Sequence, residues 1–220
     1  MANSNLFTSS VGRKIIVGLT GLFLITFLVV HLGCNLTIIM DSSGNMFNDV
    51  AYFMSHFWLM RIIEVGLFLG LIAHIVMTLK LNFENKSKRP VGYAVSPGNV
   101  NSTWYSRSMA ILGSLLLIFL VIHLYQFWIP TKKALYITHE DEDAYTMVTE
   151  ALRNPLVLLV YIIAFISLGY HLLHGFQSAF QSLGLNHKKY TPIIKKTGTA
   201  FAIIVPALFA LIALVVFFTK

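Results

Sequence analysis

Five long apolar runs, separated by polar and turn-forming stretches, set the pattern of the chain. They occupy residues 13–39, 57–81, 107–129, 155–183 and 193–218. Each meets the requirement of about 20 mainly apolar residues for a helix that crosses a bilayer. The first run closes at the turn signal Asp41-Ser42-Ser43-Gly44, and residues 40–56 read as a polar loop. Residues 82–106 form a basic loop with Pro90, Pro97 and Gly98. Pro130 ends the third run, and the acidic stretch 131–154 is expected to include a short surface helix. Pro155 opens the fourth run as a favourable first-turn proline. The predicted fold is an all-α, five-helix transmembrane bundle, one domain over residues 1–220, with no soluble domain left over and no repeat of fixed period.

Composition agrees. The chain is 56% apolar and only 11% charged, which points away from a soluble domain and towards a membrane protein. The net charge of +7 could suggest nucleic acid, but the basic residues lie in loops between apolar runs. Lipid and the positive-inside rule account for them better. Lys and Arg concentrate at the N-terminus and in the 82–106 and 184–196 loops, and the acids in the 40–56 and 130–154 loops. This alternation places the N-terminus in the cytoplasm and the C-terminus outside. Residues 1–12 are polar and precede a full-length span, so no cleavable signal peptide is expected. Cys34, the only cysteine, excludes an internal disulfide, a cysteine zinc site, a cluster held within the chain and covalent Cys-x-x-Cys-His haem attachment.

The chemistry-bearing residues are histidines. His31, His74, His123 and His171 fall one to each of the first four runs. An ionisable group at membrane depth is a functional candidate by default. At a rise of about 1.5 Å per residue, His31 and His123 lie about 25 and about 24 Å from the inner end, whereas His74 lies about 9 Å from it. His171 lies about 24 Å from the outer end. The histidines therefore form two layers, His31 with His123 towards the outside and His74 with His171 towards the inside. Paired imidazoles on facing helices, with no thiolate or carboxylate beside them, suit the two axial positions of a haem iron. Gly66, Gly70 and Gly169 offer room for a flat ring. His174, three residues after His171, faces a similar direction and is either the ligand in its place or a partner of a haem propionate. Arg61 and Glu64 read either as a helix-end ion pair or as contacts to a propionate or quinone. The competing readings are hydrogen-bonded core histidines and a transporter or proton channel with a histidine relay.

These residues resemble the two-haem cytochrome b membrane anchor of succinate dehydrogenase and fumarate reductase (complex II), in its single-chain, five-helix form. The resemblance spans nearly the whole chain. It rests on Tyr170-His171-Leu172-Leu173-His174-Gly175, on the stretch from Gln177 to His187, and on one histidine per span. It implies an anchor without flavin or iron–sulfur cluster of its own, in a bacterial cytoplasmic membrane. Such an anchor docks a flavoprotein and an iron–sulfur subunit on its cytoplasmic face. It passes electrons through two b-type haems to or from a quinone, usually menaquinone. It also implies ligation by His31, His74, His123 and His171, the last standing four residues before Gly175, and makes His174 an addition. The quinone-site acid of such anchors has no matching motif here, and Asp49 and Glu64 are the candidates. Succinate oxidation and fumarate reduction share one anchor chemistry and are not distinguished. The cytochrome b anchor of a hydrogenase or formate dehydrogenase is an alternative that this one-per-helix order disfavours.

Overall fold

The computed structural model describes residues 9–87, 103–140 and 143–219, and every regular element among them is helical. The basic residues Lys88 and Arg89 and the acids Asp141 and Glu142 lie outside the described residues. The helices are α1 (Ser10–Met40), α2 (Asn45–His56), α3 (Trp58–Ser87), α4 (Trp104–Arg107), α5 (Met109–Thr138), α6 (Ala144–Arg153), α7 (Pro155–Ser182) and α8 (Thr191–Thr219). Five of these, α1, α3, α5, α7 and α8, are long and apolar enough to cross a membrane.

Local sequence sets the helix ends. The Ser9 hydroxyl accepts from the Gly12 amide to open α1, and the Asn154 side chain accepts from Leu156 to open α7 ahead of Pro155. Gly184, with φ +77°, closes α7. Its amide donates to Gln181 and the Leu185 amide to Phe180, the paired bonds that satisfy the last carbonyls of a helix.

Besides the one-turn helix α4, which begins inside the expected 82–106 loop, two elements depart from the sequence reading. The stretch 40–56 contains a helix, α2, in place of a loop. The Asp41 carboxylate accepts from the amides of Ser43 and Met46 and so starts α2 directly after α1 ends. The third span also continues through Pro130 to Thr138. Two π-helical turns, Leu124–Trp128 and Ala134–Thr138, flank the proline. The Ile129 amide reaches back five residues to Leu124. A proline in a helix removes one N–H and crowds the carbonyl four residues earlier, and here a widened turn takes up that strain in place of a break.

α7 packs most extensively on α8, and α1 packs against α3, α7 and α8. Glycines mediate the closest approaches. A Cβ on Gly18 would stand 3.1 Å from the Ala179 carbonyl, and one on Gly198 would stand 2.6 Å from the Phe176 ring. Gly169 is turned the same way, towards the Ala202 carbonyl and Pro206 of α8. It serves helix packing, contrary to the expectation that it offers room for a flat ring, because α8 fills the space beside it. The buried core gathers Leu32, Ile38, Tyr161, Phe209 and Val216, with Phe47 and Leu152 from the short helices closing one end. α3 has no fully buried residue, and its Ile62, Val65, Leu69 and Phe83 are exposed to the surroundings a lipid would fill.

Candidate functional site

The five spans bring the four histidines together in two pairs. His31 of α1 and His123 of α5 face each other with ring centroids 5.8 Å apart and planes at 90°. His74 of α3 and His171 of α7 stand 6.4 Å apart at 63°. The partner of His74 is His171, not His174. His174 turns to its own helix, its Nε2 lying 3.0 Å from the Ser178 hydroxyl.

These separations have a chemical meaning. An imidazole–metal bond is about 2 Å long and the ring centre lies about 1 Å beyond the nitrogen, so two imidazoles sharing one metal have centroids about 6 Å apart. Both pairs meet this spacing. No group of three or more His, Cys, Asp or Glu side chains gathers for a metal ion among the described residues. A two-nitrogen set fits a metal whose remaining ligands arrive with it, as the four nitrogens of a porphyrin do.

The second nitrogens of the rings support the same use. The Tyr161 hydroxyl donates to Gln126 Oε1 at 2.9 Å, so its oxygen is an acceptor towards His123 Nδ1 at 3.1 Å. Thr20 donates its proton to the Ile16 carbonyl at 2.7 Å and lies 3.2 Å from His74 Nδ1. Both histidines are thereby held as Nδ1–H tautomers, with Nε2 left free to ligate. His171 Nδ1 is buried with no hydrogen-bond partner among the described residues. His31 stacks on Phe27 and leans on Phe209, at 5.3 and 5.8 Å.

Small residues border the inner pair. A Cβ on Gly21 would lie 3.5 Å from His74 Cε1, and one on Gly113 would lie 4.0 Å from that of His171. Gly66 faces open space, while Gly70 faces the Phe23 ring. Gly113 carried no signal in the sequence because nothing there fixes which side of α5 meets α7. Ser167 fixes it in the fold, donating from a buried position to the Leu112 carbonyl at 3.0 Å.

The acids expected near the outer pair are held differently. Glu64 accepts from Trp128 Nε1 at 2.5 Å and Lys132 Nζ at 2.9 Å, and pairs with Arg61 at 2.5 Å. This knot ties α3 to α5 across helices whose backbones are not closely packed. Arg61 also donates to the Met54 carbonyl at 2.6 Å, which binds α2 to α3. Asp49 lies elsewhere, exposed at the rim of a cavity of about 420 Å³ with Tyr52, Ser55, His56 and Thr131. At the opposite end, Arg13 and Glu84 form a two-pronged ion pair between α1 and α3, one contact measuring 2.7 Å. No pattern in the sequence joins these two, which stand 71 positions apart. Lys80, Lys86, Lys188 and Lys189 are exposed.

Residues 85–215 match the model of a protein family described as succinate dehydrogenase/fumarate reductase transmembrane subunit. No curated protein and no solved structure matches the chain.

Proposed function

The chain belongs to the succinate dehydrogenase/fumarate reductase transmembrane subunit family, and from that premise we propose that it is the cytochrome b anchor of a succinate:quinone oxidoreductase holding two b-type haems. The observation that carries this reading is the pair of cross-helix imidazole sets, His31 with His123 and His74 with His171. Bound there, the haems would supply one-electron transfer between a soluble partner and a membrane quinone. The residues of the chain perform the rest. Two imidazoles at each site would supply the protein's ligands to the iron, a donor set that suits electron transfer. Thr20 and Tyr161 hold two of those imidazoles in the ligating tautomer. Arg61 and His174 are the basic side chains available to propionates.

In this reading the exposed lysines Lys80, Lys86, Lys188 and Lys189 lie on the cytoplasmic face of a bacterial inner membrane. There they meet an iron–sulfur subunit that carries the flavoprotein. The quinone, menaquinone by the resemblance, reacts towards the outer face. Asp49 is the better placed acid to exchange its protons, since Glu64 already has three donors around it. The same anchor working as a quinol:fumarate reductase is the alternative, because nothing in the two imidazole pairs favours one direction.

Optical spectra and redox titration of the purified complex test the reading. His31→Ala and His123→Ala should each remove the same haem, and His74→Ala and His171→Ala the other. A preparation with no visible haem absorbance would overturn it, as would loss of one haem on replacing His31 and His74 together with retention of the second.

A further inference from the structure

We infer that Tyr161 is a positioning residue that sets the redox potential of the outer site by polarising His123. The inference rests on the reading of His123 as an axial ligand. It extends that reading to a residue of α7 that supplies no ligand itself.

The Tyr161 ring is buried at 5% exposure, edge-on to Phe119 at 4.8 Å and close to Phe127 and Phe165. A buried phenol in such a cage needs a partner for its hydroxyl. It has two, and they lie in sequence: His123 Nδ1 at 3.1 Å and Gln126 Oε1 at 2.9 Å. The phenol owns one proton, and Gln126 offers a carbonyl oxygen to receive it. The phenolic oxygen is then left to accept from the His123 N–H. A hydroxyl that is donating its proton is a stronger acceptor, because hydrogen bonds in a chain polarise one another. Gln126 sits in the π-helical turn that begins directly after His123, a distortion found often at functional sites.

The chain therefore pulls the Nδ1 proton away from the imidazole, leaves more electron density on the ring and raises the basicity of the free Nε2. A more basic axial ligand favours the oxidised metal and lowers its potential. The inner layer is built otherwise. His74 faces a threonine hydroxyl that also serves two backbone carbonyls, and His171 Nδ1 has no partner among the described residues. The two sites thus receive unequal support from the protein, with the stronger relay on the outer one.

The test uses the intact complex and compares Tyr161→Phe, Gln126→Leu and His123→Ala. His123→Ala identifies which haem is the outer one; if it left both haems in place, the ligand reading itself would fail. Tyr161→Phe keeps the ring contacts and deletes only the hydroxyl. It is expected to retain both haems and to raise the midpoint potential of the one that His123→Ala removes, with the other unmoved. Gln126→Leu is expected to shift the same haem upwards by a smaller amount. Full haem content with both potentials unchanged in Tyr161→Phe would overturn the inference, and so would equal shifts of both haems, which mark a general loosening. If Tyr161→Phe fails to hold its haem, Gln126→Leu decides: an upward shift of the outer haem alone upholds the role, and an unmoved potential removes it.

Discussion

His171 and His174 show how three residues of spacing separate two fates. On a helix the two positions share a face, so the sequence alone could assign either to a ligand role. Packing separates them: His171 is carried against His74, while His174 bonds Ser178 one turn along. Replacing His171 with Ala should therefore cost the complex one haem. Replacing His174 with Ala should keep both, with at most a shifted potential. Haem quantified against protein in each variant measures this, and the opposite pattern would reverse the assignment. Residue types at membrane depth were legible because apolar runs make an imidazole conspicuous. The Arg61–Glu64 pair was one of the readings, but the partners of Tyr161 and Thr20 and the Trp128 and Lys132 contacts of Glu64 were not legible, since such cross-helix bonds leave no periodicity in the sequence.

Among the elements, the spans were readable from apolar length alone, and a short surface helix was expected within 131–154, where α6 lies, whereas α2 was read as a loop. α2 and α6 are amphipathic caps whose starts depend on side chains. The Asp143 carboxylate accepts from the Thr146 amide and hydroxyl and from Asn48, while Asn48 in turn accepts from the Tyr145 amide. Gly44, at φ +80°, sits so close to the Tyr145 ring that a Cβ would approach to 2.5 Å. The bond from the Met46 amide, with those from Ser43, brings the Asp41 carboxyl down to about 2, and the Thr146 bonds hold Asp143 below the ordinary carboxylate range. For a carboxyl depressed on folding, the stabilisation is complete above the unfolded value of about 3.9 and is lost as pH falls through the folded one. Hydrogen exchange at the Met46 and Thr146 amides should therefore stay slow at neutral pH. It should quicken between about pH 4 and about pH 2, before the spans open. Asp41→Asn should make the Met46 amide exchange faster at neutral pH and flatten its acid response, and an unchanged profile would show that the Asp41 bonds do not hold the start of α2.

At the scale of the whole molecule, the architecture is lopsided. The apolar core lies towards one end, beneath α2 and α6, and the other end is drawn together by the Arg13–Glu84 pair. The five-span arrangement and the two histidine layers follow from lengths and depths that a sequence displays. The continuation of α5 beyond Pro130 does not, because a proline is ordinarily a stop and a π-helical turn leaves no mark in hydropathy. That turn has a consequence for how the chain tolerates insertions and deletions. A membrane span usually cannot lose a residue: everything beyond the gap rotates by about 100°, and buried faces swing into lipid. A π-helical turn already holds one residue more than an α-helix needs. Deleting Tyr125, which is 71% exposed, should let 124–128 relax into a plain α-helical turn. The Glu64 knot and the outer cap should stay in register with the bundle, and the protein should assemble with its inner site intact. Deleting Ile163, a comparably lipid-facing position in the regular helix α7 at 47% exposure, has no such slack to draw on. Its loss should misalign His171 and abolish assembly, as read from the yield of folded complex in membranes. A surplus residue in α5 is thus a place in the spans where this chain can be shortened without being turned inside out.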